Sequence, residues 1–125
     1  MTQISNIPHI LIVDDDAQVV GVLKSTLTRA KFKVTVARSS SEALGLVSEE
    51  PFDLVLLEMC MPDPDGFAIL KQIRSQARHV RVLAISSNKN GALLEAAQML
   101  GAVATLQKPI SPHALLDKIN GILGR

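Results

Sequence analysis

Hydrophobic positions in this 125-residue chain alternate between two rhythms. Short runs with almost no polar interruption, "HILIV" (9–13), "DLVLL" (53–57) and "VRVLAIS" (80–86), have the length of strands buried on both faces. "KVTVA" (33–37) is a strand with weaker burial, suited to a sheet edge, and "AVATLQ" (102–107) is a last strand. Between these runs the spacing changes to three and four. Val20, Leu23, Leu27 and Ala30 share one helical face within 17–30, and Phe67, Leu70 and Ile73 share one within 66–75. Leu93, Ala96, Ala97 and Leu100 mark a helix that stops at Gly101, and Leu115, Ile119 and Ile122 mark the closing helix. Ser39 and Glu42 stand at capping-box spacing, so a helix begins there and runs to about residue 50. Asp65 caps the third helix, and Ser111 followed by Pro112 opens the fifth.

Strand and helix therefore alternate five times. Strands apolar on both faces need helices on both sides, and the right-handed crossover rule makes a doubly wound parallel α/β sheet the simplest topology. The length fits one domain, residues 1–125, with no output domain expected. No internal repeat, linker or low-complexity stretch is visible.

Composition narrows the function. Hydrophobic residues make up 47% of the chain, enough for a core, and the formal net charge is +1. Charges of both signs are interspersed, so neither nucleic acid nor a membrane surface is an expected partner. The apolar runs are too short to span a bilayer, and the first ten residues lack the form of a signal peptide. With one cysteine, Cys60, no internal disulfide can form, and a cytoplasmic location is expected. Cys60 and the histidines at 9, 79 and 113 share no metal-ligand spacing and read as structural or surface residues. Met59 and Met61 read as packing.

In a doubly wound sheet, ligands bind beyond the carboxyl ends of the strands. The first strand ends in Asp14, Asp15 and Asp16, the third in Glu58, the fourth in Ser86 and Ser87, and the fifth in "QKP" with Lys108. Alone, each has an ordinary explanation: helix cap, surface acid, strand-end hydroxyl, solvated lysine. Together they should converge on one pocket. Crowded carboxylates repel unless a cation intervenes. Mg²⁺ suits them, since it takes oxygen ligands and often bridges to phosphate. Carboxylates, a divalent metal, a lysine and a hydroxyl make a site for phosphoryl transfer onto a side chain.

With these residues in place, the chain resembles the receiver domain of bacterial two-component response regulators. The resemblance rests on "ILIVDDD" (10–16), "DLVLLEMCMPDPDGF" (53–67), "VLAISS" (82–87) and "LQKPIS" (106–111). It implies a flavodoxin-like, five-stranded sheet in the order 2-1-3-4-5. It also implies a non-enzymatic module of a phosphorelay, which accepts a phosphoryl group from a histidine kinase or phosphotransfer protein and regulates an output partner. Asp14 and Asp15 resemble the metal-holding acids, with the Glu58 side chain and the backbone carbonyl of Cys60 as further Mg²⁺ ligands. Ser86 and Lys108 resemble the hydroxyl and lysine that meet the phosphoryl group, and the bond before Pro109 is expected to be cis. Gly66 resembles the glycine that lets the loop turn into its helix. The output surface implied is the fourth helix, fifth strand and fifth helix, where Leu94 and Met99 are either exposed contacts or core.

Two positions depart from that family. The phospho-acceptor aspartate is here Glu58, and the aromatic switch residue is here Thr105. The extra methylene moves the carboxylate by about 1.5 Å. In phosphoryl transfer a displacement of about 1 Å can cost a hundredfold in rate. Glu58 should therefore be a poor acceptor that reaches toward Lys108 or Ser86 and competes with metal. Threonine has few rotamers and no long lever, so the switch through Ser86 and Thr105 should be muted. The alternatives are a phosphorylation-independent pseudo-receiver that works by docking and, further off, a Mg²⁺-dependent phosphatase with Asp14 as nucleophile. A flavin carrier needs a hydroxyl- and glycine-rich loop where "DDDAQ" stands, and no G-x-G-x-x-G follows the first strand.

Overall fold

A computed structural model describes residues 7–61, 65–87 and 91–125. The elements run β1 (His9–Val13), α1 (Ala17–Arg29), β2 (Lys33–Ala37), α2 (Ser40–Glu49), β3 (Leu54–Glu58), α3 (Gly66–Gln76), β4 (Arg81–Ser86), α4 (Gly91–Met99), β5 (Ala104–Gln107) and α5 (Pro112–Leu123). All strand pairs are parallel, and the sheet order is β2-β1-β3-β4-β5. The expected doubly wound α/β fold and strand order are both present.

Each strand divides its side chains between two cores, as a period of two requires. Leu11, Val13, Val55, Leu57, Val82 and Ala84 pack on one face beneath α2, α3 and α4. Ile10, Ile12, Leu54, Leu56, Leu83 and Ile85 pack on the other beneath α1 and α5. The three central strands are buried on both sides, whereas β2 and β5 are half-buried edges.

The helix starts follow their caps. Asp16 accepts from the amides of Gln18 and Val19, Asp65 from Ala68, and Ser111 from Ala114. Ser39 accepts from the Glu42 amide, while the Glu42 carboxylate accepts from Arg38, one residue before the cap. The fifth strand is shorter than its apolar pattern, because Ala102 still bonds back to Ala97 at the end of α4. Asp53 precedes β3 and accepts from the His9 amide at 2.7 Å, so its carboxylate ties the amino ends of β1 and β3 together.

Candidate functional site

Register and parity assemble the site. Val13 pairs with Leu57, so Asp14 and Glu58 are the next residues on two adjacent strands. Continuing the alternation, Asp14 follows Ile10 and Ile12, Glu58 follows Leu54 and Leu56, and Lys108 follows Ala104 and Leu106. All three therefore fall on the side of the sheet covered by α1 and α5. Lys108 is two strands from Glu58, and its long stem spans the gap.

The result is a three-group ion cluster. The Lys108 ammonium lies 2.8 Å from Asp14 Oδ2 and 2.8 Å from Glu58 Oε1. Both acids are buried, at 1% and 3% exposure. The second oxygen of each is also held: Asp14 Oδ1 accepts from the Asp16 amide at 3.0 Å, and Glu58 Oε2 from the Cys60 amide at 2.8 Å. Burial disfavours the ammonium, but hydrogen bonds and Coulomb attraction to Asp14 and Glu58 outweigh it, so the Lys108 pKa is raised above 10.5. The backbone of Lys108 is fixed as well, its amide donating to the Ser86 carbonyl at 2.8 Å, and the Lys108–Pro109 bond is cis.

Ser86 has the opposite parity, following Val82 and Ala84 on the face beneath α2, α3 and α4. It is fully buried, and its hydroxyl lies 3.5 Å from Cys60 Sγ. Thr105 pairs with Ala84 on that same face and is half-buried. Asp15 is exposed, and its backbone carbonyl accepts from the Arg38 guanidinium at 3.1 Å. The run 14–16 thus serves three ends: ion cluster, exposed rim and helix cap. Reasoning from the residues anticipated Glu58 reaching Lys108 but missed the Lys108–Asp14 pair, the Cys60–Ser86 contact and Arg38. Only strand parity could have signalled the first, and no sequence feature announced the others.

Gly66 packs against the backbone that follows Glu58. A Cβ there would lie 2.4 Å from Met59 Cα and 2.6 Å from the Met59 carbonyl oxygen. Glycine is required because α3 starts against the backbone just after Glu58. Residues 62–64 of the quoted loop motif lie outside the described residues. In α4, Leu94 packs against the core, whereas Met99 is 87% exposed.

The donor chemistry suits a hard cation: two buried carboxylates whose facing oxygens meet only an ammonium among the described residues. Among those residues, however, no three His, Cys, Asp or Glu side chains are grouped to hold a metal.

A parallel sheet in this order, with acids, a hydroxyl and a lysine at its carboxyl edge, defines a receiver-type signalling domain. Residues 10–120 match the response regulator receiver domain, and the chain belongs to that family. Protein PetR of Rhodobacter capsulatus is 36% identical over 118 residues, covering 94% of this chain and 49% of that protein. Response regulator SaeR of Staphylococcus aureus is 31% identical over 117 residues, covering 94% and 51%. The chain thus spans about half the length of these relatives. Among solved structures, a CheY-like receiver domain protein of Methanospirillum hungatei superposes with a TM-score of 0.90 at 27% identity, covering 95% of each chain. The chain is a signal-transduction receiver module. Receiver domains as a class are generally non-enzymatic signalling modules and typically bind Mg²⁺ at the phosphorylation site. Response regulators generally interact with histidine kinases or phosphotransfer proteins and with output domains.

Proposed function

We propose that this receiver transmits its signal with little or no phosphorylation, because its acceptor position is locked in an ion pair. The carrying observation is the 2.8 Å contact from Glu58 Oε1 to the Lys108 ammonium, with the other oxygen held by the Cys60 amide. An attacking carboxylate oxygen needs a lone pair aimed at phosphorus, in line with the leaving group. Here both oxygens already accept from fixed donors, and the longer arm displaces them by about 1.5 Å from where an aspartate would end.

On this reading Glu58 stands in part for a phosphorylated aspartate. It brings one negative charge to Lys108, where a phosphoryl group would bring roughly −1.5 to −2 and three oxygens. Asp14, Asp15, Glu58 and the Cys60 carbonyl are the oxygens that would hold Mg²⁺, whose chemistry when bound is to neutralise phosphoryl charge. Ser86 would donate to a phosphoryl oxygen, and Lys108 would supply a compact positive charge beside it. Thr105 mutes the response, since a β-branched side chain has no lever to swing. The partners are a histidine kinase or phosphotransfer protein and an output partner on the α4–β5–α5 face, where Met99 and Val103 are exposed. On this reading the domain acts in the cytoplasm as a non-enzymatic signalling unit. Among the described residues no helix is long and apolar enough to cross a membrane.

The test is Mg²⁺-dependent labelling with a small phosphodonor, read by intact mass. The chain is expected to show no stable phosphoryl adduct, and Glu58→Asp a hydroxylamine-sensitive one. A robust adduct mapped to Glu58 would overturn the proposal.

A further inference from the structure

Charges of both signs mix along most of the chain, yet residues 17–41 hold five cations, Lys24, Arg29, Lys31, Lys33 and Arg38, and no acid. With +1 overall, the +5 of that segment leaves −4 to the rest. Folding sharpens the segregation. Arg29, Lys31 and Lys33 are exposed around the turn from α1 to β2, at the amino end of the sheet. Arg125 joins them from beyond α5, its guanidinium carbon 5.0 Å from the centre of the Phe32 ring. Among the described residues none of these four is in an ion pair.

Arg29 has a local reason, since a cation in the last turn suits the helix dipole. Lys31 has none. Just past the end of α1, its amide donates to the Thr28 carbonyl at 3.0 Å, and that of Phe32 to the Leu27 carbonyl at 3.1 Å. This pair of bonds holds the residue between them in the left-handed region, and Lys31 has φ 73°. Glycine takes that conformation freely, whereas a lysine there is strained. The turn thus presents a cation where its own geometry favours glycine. The opposite charge lies at the other end of the sheet, where Asp15, Asp16 and Asp65 are exposed. Five residues of strand, at about 3.3 Å each, set the two ends roughly 17 Å apart. The Debye length at about 0.1 M salt is about 10 Å, so tip and rim do not neutralise each other within one copy.

We propose that the basic tip of one copy, Arg29, Lys31, Lys33 and Arg125, docks head to tail on the acidic carboxyl rim of a second copy. The contact is heterologous: each docked copy leaves one tip and one rim free, so short rows of copies form. Because Asp15 directly follows Asp14, a docked copy also covers the edge of the ion cluster.

Sedimentation velocity over a range of protein concentrations tests this on the chain, Lys31→Glu/Lys33→Glu and Asp15→Lys, with circular dichroism confirming that each is folded. At low ionic strength the average mass of the chain should climb with concentration. At about 1 M salt, where the Debye length is about 3 Å, it should fall to that of a monomer. Each variant should associate at least about tenfold more weakly, since like charges then face each other. An equal mixture of the two variants should regain association, because each supplies the end that the other has reversed. Lys31→Gly should associate less while melting higher, which separates the surface role of the lysine from its backbone. A chain that stays monomeric at low salt, association that survives about 1 M salt, or a mixture that remains monomeric would each overturn the proposal. So would a monomer that binds a DNA duplex through Lys31 and Lys33, which would give the tip to nucleic acid. Should Asp15→Lys not fold, Lys31→Gly against the chain decides the matter.

Discussion

The carboxylate of Glu58 meets Lys108 because glutamate is one methylene longer than aspartate and because its strand delivers it beside Asp14. Lys108 is the group on which both buried charges depend. Removing one partner of a buried ion pair typically costs about 3–5 kcal/mol, since the remaining charge is left without compensation. Lys108→Met should lose stability on that scale in metal-free urea melts, while Lys108→Arg should recover part of it. The raised pKa of Lys108 gives the pH dependence its sign. The folded state holds this proton more tightly than the unfolded chain, so the contribution is complete below pH 10.5 and disappears as pH rises through the higher folded value. His9 works in the opposite direction. Its ring is buried against Phe52 with Nε2 2.7 Å from Thr35 Oγ1. Burial, then the charge of Lys33, lower its pKa below 6.5, against weaker pulls from Glu50, Asp53 and the Pro51 backbone. The neutral form is favoured on folding. Its contribution is full above pH 6.5 and is lost as pH falls through the lower folded value. Urea midpoints of the chain and His9→Gln should therefore converge between pH 7.5 and pH 5.

At the level of elements, caps and close approaches decide where the site residues stand. Asp16 holds the first amides of α1, so Asp16→Ala should cost about 1 kcal/mol in a chemical melt and leave the Asp14–Lys108 pair intact. Gly66 is tied to the backbone after Glu58 rather than to a special φ. Gly66→Ala must push α3 off Met59, and about 1–3 kcal/mol of stability should go with it, the usual range for overpacking. Amide exchange after the substitution should quicken at Cys60, whose N–H holds Glu58. The capping signals at Ser39, Asp65 and Ser111 were legible because a cap is a local contract between a side chain and amides two or three residues on. The start of β5 was not, because Ala102 is apolar in either role and only its bond to Ala97 decides between them.

Across the whole molecule, one sheet separates two cores, and the ion cluster sits at the carboxyl edge of that sheet on the face covered by α1 and α5. Leu56 and Leu57 are adjacent in the chain yet pack on opposite faces. Each mutated to Ala should cost about 2–5 kcal/mol, and each melt should stay a single transition, because the shared strand couples the two cores. With Trp and Tyr absent, circular dichroism is the suitable probe.

Fold class, helix faces, caps and the set of polar residues at strand ends were determined by the sequence alone, since each depends on spacing along one segment. The strand order was legible through the family resemblance, which rests on four motifs in sequence. What only the tertiary structure decided is which strand-end groups touch. Asp14 and Glu58 become neighbours through inter-strand register, Lys108 joins them through shared parity, and Ser86 turns to Cys60 because its parity differs. Register and parity are relations between segments 44 and 50 residues apart, from Asp14 to Glu58 and from Glu58 to Lys108. Local propensity carries no record of such relations; long-range hydrogen bonding and core packing impose them.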